Sequence, residues 1–159
     1  MDSRDSLLSA LKSHASSGRT RIETLQAIAK AIRQNGGHRW VGLYDVDHDR
    51  GVVANLVWDG LGAPEYPEFP TSKGLTGRAI ASCKTVNVGN VAKAPHYLTA
   101  LGTTKSEIIV PILGAQGSVV VGTIDVESAS LDAFSPETQK LLEECAEVIR
   151  PLWSRGNVV

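Results

Sequence analysis

The sequence is short of cysteine and of net charge, and each shortage excludes a class of protein. Its 159 residues include two cysteines, Cys83 and Cys145, which lie far apart and form no CxxC pair. No histidine clusters with them, so we expect no zinc site, and no other metal or cofactor is predicted. Reduced thiols indicate a cytoplasmic protein. The formal net charge is −1, so the chain lacks the electrostatic footprint of a nucleic-acid-binding protein.

Long apolar runs are absent as well. No stretch is apolar over the roughly 20 residues that a membrane-spanning helix needs, so no membrane partner is expected. The N-terminus leads into an amphipathic pattern that does not resemble a signal peptide. Hydrophobic residues make up 42% of the chain and charged residues 21%. That balance, at this length, predicts one globular domain.

Helical patterns occur at both ends of the chain. Residues 3–14 place leucines on one face of a predicted helix. Thr20 and Glu23 form a capping box that starts a second helix, and the glycines at 36–37 end it. The Ser-Pro pair at 135–136 supplies an N-cap and a first helical residue for the last helix.

A polar break divides the N-terminal region from the rest. Because residues 16–18 are polar and flexible, we predict an N-terminal helix with its linker over residues 1–18. A single domain is predicted over residues 19–155, followed by a tail at residues 156–159. No internal repeat or low-complexity tract divides the chain further.

Between the helices, apolar residues mostly alternate with other residues, as they do along β-strands, and this pattern predicts an α+β fold. The predicted elements are strands at 38–45, 52–58, 85–88, 106–113 and 118–127 and a short helix at 73–83. Because hairpins build antiparallel sheets, we expect an antiparallel central sheet. The N- and C-terminal helices would cover one face. The short helix and the long segments at 59–70 and 89–101 would cover a pocket on the other.

Three carboxylates interrupt the last hairpin, whose strands should be buried. Asp125 and Glu127 share a face because side chains alternate along a strand. An even-numbered connection at 114–117 would put Glu107 on the opposite face, whereas an odd-numbered connection or a β-bulge would bring it beside them. Converging acids would need a partner, which could be a ligand ammonium, a metal ion or Arg78. A protonated carboxyl could instead donate to a ligand oxygen. The alternative is that the acids are solvated near a strand end.

Two aromatic residues share a face of the first long strand. Gly42 lies between Trp40 and Tyr44 on that face. The glycine would leave a space between two aromatic walls, which is typical of a small-ligand pocket. Burial in an ordinary core is the equal alternative. His96, in a long loop, could reach such a pocket, although a lone loop histidine is usually exposed.

Four segments occur in the order seen in GAF domains. They are WVGLY at 40–44, KGLTG at 73–77, SEIIVPI at 106–112 and GTIDVES at 122–128. The resemblance covers nearly the whole chain from residue 20 to residue 150. Within GAF domains, the sequence most resembles the free methionine-(R)-sulfoxide reductases. The resemblance implies a GAF-like fold, also described as PAS- or profilin-like, and a homodimer.

The resemblance also implies which residues contact a ligand. Trp40 and Tyr44 match pocket aromatics, and Glu107 and Asp125 match acids that contact substrate in that family. The second acid of the last strand is usually aspartate there and is Glu127 in this chain. The predicted ligand-binding set is Trp40, Tyr44, Thr76, Glu107, Asp125 and Glu127.

The reductases use three cysteines, and this sequence matches none of them. The corresponding positions are Thr76, Ala100 and the 59–70 loop, which contains no cysteine. Thiol chemistry needs a thiolate nucleophile and then a resolving thiol. Cys83 falls in the short helix and Cys145 on the apolar face of the last helix. The resemblance therefore implies a GAF pocket without the reductase chemistry, with Cys83 as the remaining catalytic candidate.

The sequence thus predicts a stand-alone GAF domain that binds a small polar, amino-acid-like metabolite. One alternative is a reductase-like enzyme that uses Cys83 with an external thiol. Another is a dimerisation module whose pocket is filled by side chains such as Tyr66 or Phe69. Any signal would pass to a signalling protein by direct contact.

Overall fold

A computed structural model describes residues 2–95, 97 and 100–154 of the chain. The helices are α1 (Ser3–Ala15), α2 (Arg21–Gly36), α3 (Gly74–Ser82), α4 (Pro136–Ile149) and α5 (Pro151–Ser154). The strands are β1 (Trp40–Asp47), β2 (Val52–Gly60), β3 (Glu68–Pro70), β4 (Val86–Val88), β5 (Ser106–Leu113) and β6 (Val120–Ser128).

The strands form one six-stranded sheet in the order β3-β2-β1-β6-β5-β4. Every neighbouring pair is antiparallel, which confirms the predicted α+β fold. β1 and β6 lie side by side at the centre, although some 70 residues separate them in sequence. The central position of these two strands explains why their side chains are buried on both faces.

One face of the sheet is covered by the terminal helices. α2 packs on β1 and β2, α4 packs on β5, and α1 contacts both of these helices. Val41 and Leu43 point into this layer, as the alternation of β1 requires. The predicted placement of the N- and C-terminal helices on one face is therefore confirmed.

The predicted helix boundaries are confirmed by their caps. Thr20 accepts a hydrogen bond from the Glu23 amide, as the capping box requires. Gly37 ends α2 with a φ of 63°, a left-handed conformation that favours glycine. Ser135 caps α4 by accepting from the Thr138 amide.

The segment from residue 59 to residue 70 differs from its predicted form as a loop. β2 continues to Gly60, and Glu68–Pro70 form β3 along the outer edge of β2. A proline is compatible with an edge strand, because its missing N–H need not face a neighbour. The edge strand brings Phe69 over the face opposite the helices, against Tyr44.

α1 is part of the same core as the rest of the chain. Leu7 and Leu11 are buried in the cluster that α2 and α4 form. The predicted tail at residues 156–159 lies outside the described residues. Among the described helices, none has the length and apolar character needed to cross a membrane.

Candidate functional site

The register of the β5–β6 hairpin brings the three carboxylates together. Glu107 pairs with Glu127, and Ile109 pairs with Asp125. An irregularity after Ile112 shifts the register and leaves an extra residue on β6. The β-bulge that the sequence analysis required is therefore present. One oxygen from each of the three acids lies within 4.8 Å of the others.

The Glu127 carboxylate holds a segment that covers the sheet. It accepts hydrogen bonds from the backbone amides of Ala100, at 2.7 Å, and Leu101, at 3.2 Å. The Thr104 hydroxyl donates a further hydrogen bond to it. Glu127 thereby fixes the 100–104 segment over the acids, and its longer side chain reaches these donors.

Glu107 and Asp125 are less well satisfied than Glu127. With both acids ionised, each keeps one carboxyl oxygen without a hydrogen-bond donor among the described residues, and the Thr123 hydroxyl lacks a partner too. A proton on Glu107 allows a hydrogen bond to Asp125 or Glu127. Glu107 is 1% exposed, Asp125 5% and Thr123 0%. An unsatisfied buried polar group costs about 1–3 kcal/mol. Such groups are uncommon in folded proteins, and they cluster here on one face of the sheet.

Burial favours the neutral form of these acids. It raises the pKa of Glu107 well above its usual value, and the charges of Asp125 and Glu127 raise it further. Burial, followed by the charge of Glu127, also raises the pKa of Asp125 well above its usual value. Neutral carboxyls can donate as well as accept hydrogen bonds, so the cluster can bind either a donor or an oxygen acceptor.

A cavity lies between Asp125 and the segments that cover this face of the sheet, which contain Tyr66, Phe69 and Ala100. Its lining includes three residues predicted for the site, namely Tyr44, Thr76 and Asp125. The other lining residues are Tyr66, Phe69, Lys73, Gly74 and Ala100. The cavity volume is about 10 Å³, roughly the space that one water molecule needs.

Trp40 packs beside this cavity and does not line it. Its indole lies over Gly42, where a Cβ atom would come within 2.3 Å of the ring. The space predicted above Gly42 is therefore filled by Trp40 itself. The indole N–H donates to the Gly62 carbonyl at 2.8 Å, which holds the ring in place. Direct ligand contact by Trp40 stays a prediction.

The remaining candidates lie away from the acids. Cys83 ends α3 with a φ of 56°, and its thiol lies 3.6 Å from the Ser118 carbonyl in the β5–β6 turn. Arg78 is exposed and forms no ion pair with a described residue, so it does not neutralise the acids. Cys145 is fully buried in the helix-side core, as predicted. His96 lies outside the described residues.

Some site residues were missed by the sequence analysis. Thr123 could have been found, because it precedes Asp125 by two residues and must share its face. Lys73 and Gly74 begin the predicted short helix, but nothing in the sequence showed that this helix end lies at the same cavity as Asp125. Tyr66 was predicted only as a side chain that fills the pocket of a dimerisation module.

Comparison with known proteins assigns the family. The GAF domain family model matches residues 20–150. GAF domain-containing protein A of Dictyostelium discoideum is 25% identical over 145 residues, which span 91% of this chain and 89% of that protein. The free methionine-R-sulfoxide reductase of Saccharomyces cerevisiae is 35% identical over 111 residues. That match spans 69% of this chain and 60% of the yeast protein.

A solved structure shares the whole architecture. It is free methionine-R-sulfoxide reductase from Neisseria meningitidis in complex with its substrate, with a TM-score of 0.85 and 26% identity. The alignment covers 97% of this chain and 91% of that one. The antiparallel sheet, the order of the elements and the family match agree, and we conclude that the chain belongs to the GAF domain family.

Proposed function

We propose that this GAF domain binds a small polar, amino-acid-like metabolite between Asp125 and the covering segments, without thiol reduction. The observation that carries the proposal is the set of buried, unpartnered oxygens on Glu107, Thr123 and Asp125. Asp125 lines the cavity, so a ligand there that carries hydrogen-bonding groups would satisfy its oxygen, and Glu107 lies beside it. Similarity to reductases of a free amino acid supports the amino-acid-like character of the ligand.

Binding would require the covering segments to move. A cavity of about 10 Å³ is far smaller than an amino acid. Tyr66, which is 42% exposed, and Phe69 form part of the cover. Outward rotation of the Tyr66 ring, and of the Phe69 ring on the edge strand β3, would enlarge the cavity while the central strands stay paired. Loops and covering segments move far more readily than a packed sheet.

A thermal-shift screen tests this proposal, because a ligand that binds only the native state raises stability by about 2.7 kcal/mol at a hundredfold excess over its Kd. Amino acids, their oxidised forms and nucleotides form the first set. We expect at least one amino-acid-like compound to stabilise the protein, and Asp125→Asn to reduce its effect. Glu147→Gln, on the surface of α4, is the control. If none of these compounds binds, the proposal is wrong.

The reductase alternative depends on Cys83. Its thiol lies at the turn end of the β5–β6 hairpin, whereas Asp125 pairs with Ile109 four residues before that end. Four strand residues span about 13 Å. That separation supports binding over reduction, since a nucleophilic thiolate must touch the sulfoxide sulfur. Turnover of free methionine sulfoxide that disappears in Cys83→Ser would overturn the binding proposal.

The small cavity supports a second candidate, a dimerisation module with a filled pocket. Tyr66 and Phe69 line the cavity beside Asp125, whose volume is only about 10 Å³. Under this alternative, no compound would stabilise the wild type, and Phe69→Ala would not create binding. A compound that binds the wild type excludes it.

A homodimer and a cytoplasmic location complete the proposal. The three longest helices lie on one face of the sheet, where they could pair with a second copy. Light scattering at micromolar concentration should give twice the monomer mass of 16.9 kDa. A monomer mass would contradict the dimer. The metabolite signal would then pass to a signalling protein that contacts the domain.

A further inference from the structure

A second cavity lies on the helix-covered face of the sheet, opposite the acids. Its volume is about 360 Å³, within the roughly 300–1,000 Å³ that is typical of small-molecule pockets. Its walls come from the end of α2, the loop after β6 and the start of α4. Arg39, which precedes β1, and Ser128, which ends β6, also line it. Both alternate along their strands with Val41 and Val126 of the helix-side core, so their side chains lie on this face.

The end of α2 fixes the position of His38 in the wall of this cavity. Gly37 takes a left-handed conformation, and the His38 amide donates to the Arg33 carbonyl at 2.9 Å, which closes the helix end. The imidazole lies against Gly36, where a Cβ atom would come within 2.1 Å of Nε2. The ring also contacts Phe134, at a centroid distance of 6.0 Å. The glycine and the aromatic ring together hold the imidazole in place.

The imidazole of His38 has an unused hydrogen-bond donor. Neither ring nitrogen forms a hydrogen bond with a described residue, although the ring is half-buried. Burial lowers the pKa of His38, so the ring is neutral at neutral pH and carries one N–H group. A ligand in the cavity could accept a hydrogen bond from this group.

Arg39 adds a full positive charge that no acid neutralises. Its side chain is partly buried and forms no ion pair or hydrogen bond with a described residue. The other partly buried arginines of the described chain, Arg21, Arg33 and Arg150, each pair with an acid. Glu127 is the one acid among the described lining residues, and the amides of the cover bind its carboxylate on the other face. The cavity is therefore suited to an anion.

Hydroxyl groups complete the polar lining of the cavity. The Ser128 hydroxyl accepts a hydrogen bond from the Ser130 amide at 3.1 Å and donates none to a described residue. The Ser130 hydroxyl forms no hydrogen bond with a described residue. The Thr138 hydroxyl accepts from that of Ser135 at 3.1 Å. An arginine fork with several hydroxyl donors matches the terminal oxygens of a phosphate group better than the two oxygens of a carboxylate.

We propose that this cavity binds a phosphate group, with Arg39 as its charged partner and His38 and Ser128 as neutral donors. Free phosphate and a phosphate monoester share this chemistry. The organic part of a monoester would lie against the imidazole, and the size of the cavity leaves room for it. The inference goes beyond the proposed function, because the two cavities lie on opposite faces of the sheet and share no donor group.

An NMR titration of the full chain tests the proposal with two probes, inorganic phosphate and phenyl phosphate. At constant ionic strength and neutral pH, both should produce saturable shifts at the amides of His38, Arg39 and Ser128. Tighter binding of phenyl phosphate assigns the site to a monoester, and equal binding assigns it to free phosphate. Absence of saturable shifts at these residues with both probes would overturn the inference.

Substitutions of Arg39 test its part in binding. Arg39→Gln should weaken phosphate binding by about tenfold or more, as loss of charge-assisted hydrogen bonds predicts. Arg39→Lys should restore part of the affinity, because lysine keeps the charge but loses the fork. Arg78→Gln removes an exposed cation of α3 and is the control, which should bind as the wild type does. Wild-type affinity in a folded Arg39→Gln variant, with folding checked by thermal unfolding, would overturn the assignment.

Discussion

Replacing Glu107 with glutamine should stabilise the folded chain at neutral pH, and the gain should grow as the pH rises. Glu107 is 1% exposed, and its pKa in the folded chain is raised above the ordinary value of 4.5. When the pH is above that ordinary value, Glu107 loses its proton in the unfolded chain but keeps it in the folded chain. For an acid with a raised pKa, stability therefore falls as the pH increases towards the folded pKa.

The size of the effect follows from this proton difference. Each pH unit between the ordinary and the raised pKa costs the wild type about 1.4 kcal/mol for one retained proton. Glutamine occupies nearly the same volume and has no proton to lose, so the variant avoids this cost. Replacement of Glu107 also changes the surroundings of Asp125, because the two acids interact, so the difference between the two proteins reports on the pair.

Urea unfolding between about pH 5 and about pH 7 measures this difference. The two proteins should be similar in stability at the acid end, and the difference should then grow by up to about 1.4 kcal/mol per pH unit until the pH passes the raised pKa. Glu147→Gln is the control, because that side chain is 66% exposed and should give the wild-type curve. Parallel curves for Glu107→Gln and the wild type would refute the reasoning, as would lower stability of the variant at neutral pH.

Three further predictions concern the cover and the core. Glu127→Gln should speed hydrogen exchange at the Ala100 and Leu101 amides and cost about 1–3 kcal/mol of stability, because the carboxylate accepts from both amides; unchanged exchange would contradict the anchoring role. Leu11→Ala should destabilise the chain by about 2–5 kcal/mol in urea, since Leu11 is 0% exposed; a neutral result would mean that α1 is not part of the cooperative core. Iodoacetamide should alkylate Cys83 before Cys145 in the native protein, because burial raises the pKa of the Cys145 thiol to about 12; mass spectrometry that found equal rates would refute this order.

Local patterns predicted most of the elements because the interactions that start and stop them are short-range. The Thr20–Glu23 box and the Ser135 cap act within a single turn, so the sequence alone located both helix starts. The alternation of side chains along β1 also predicted that Trp40 and Tyr44 lie on the opposite face of the sheet from Val41 and Leu43. The short edge strand β3 was missed, because three residues next to a proline carry no periodicity of their own.

The candidate site was harder to predict, because its residues meet through long-range contacts. Two pairing registers for Glu107 were compatible with the sequence, and a single bulge in the hairpin decided between them. The role of Glu127 in holding the 100–104 segment depends on a loop whose path no local pattern specifies. The filling of the space above Gly42 by Trp40 depends on a side-chain rotamer, which packing selects.

By itself, the sequence determined that three acids lie in the last hairpin and that their family pattern is that of GAF domains. The tertiary structure decided that Glu107 lies beside Asp125 and Glu127, because pairing across a bulge sets which side chains share a face. It also decided that Glu127 anchors the cover while Glu107 and Asp125 keep unpartnered oxygens. Charge can be read along a chain, but burial and the partners of a charge depend on which segments fold over it.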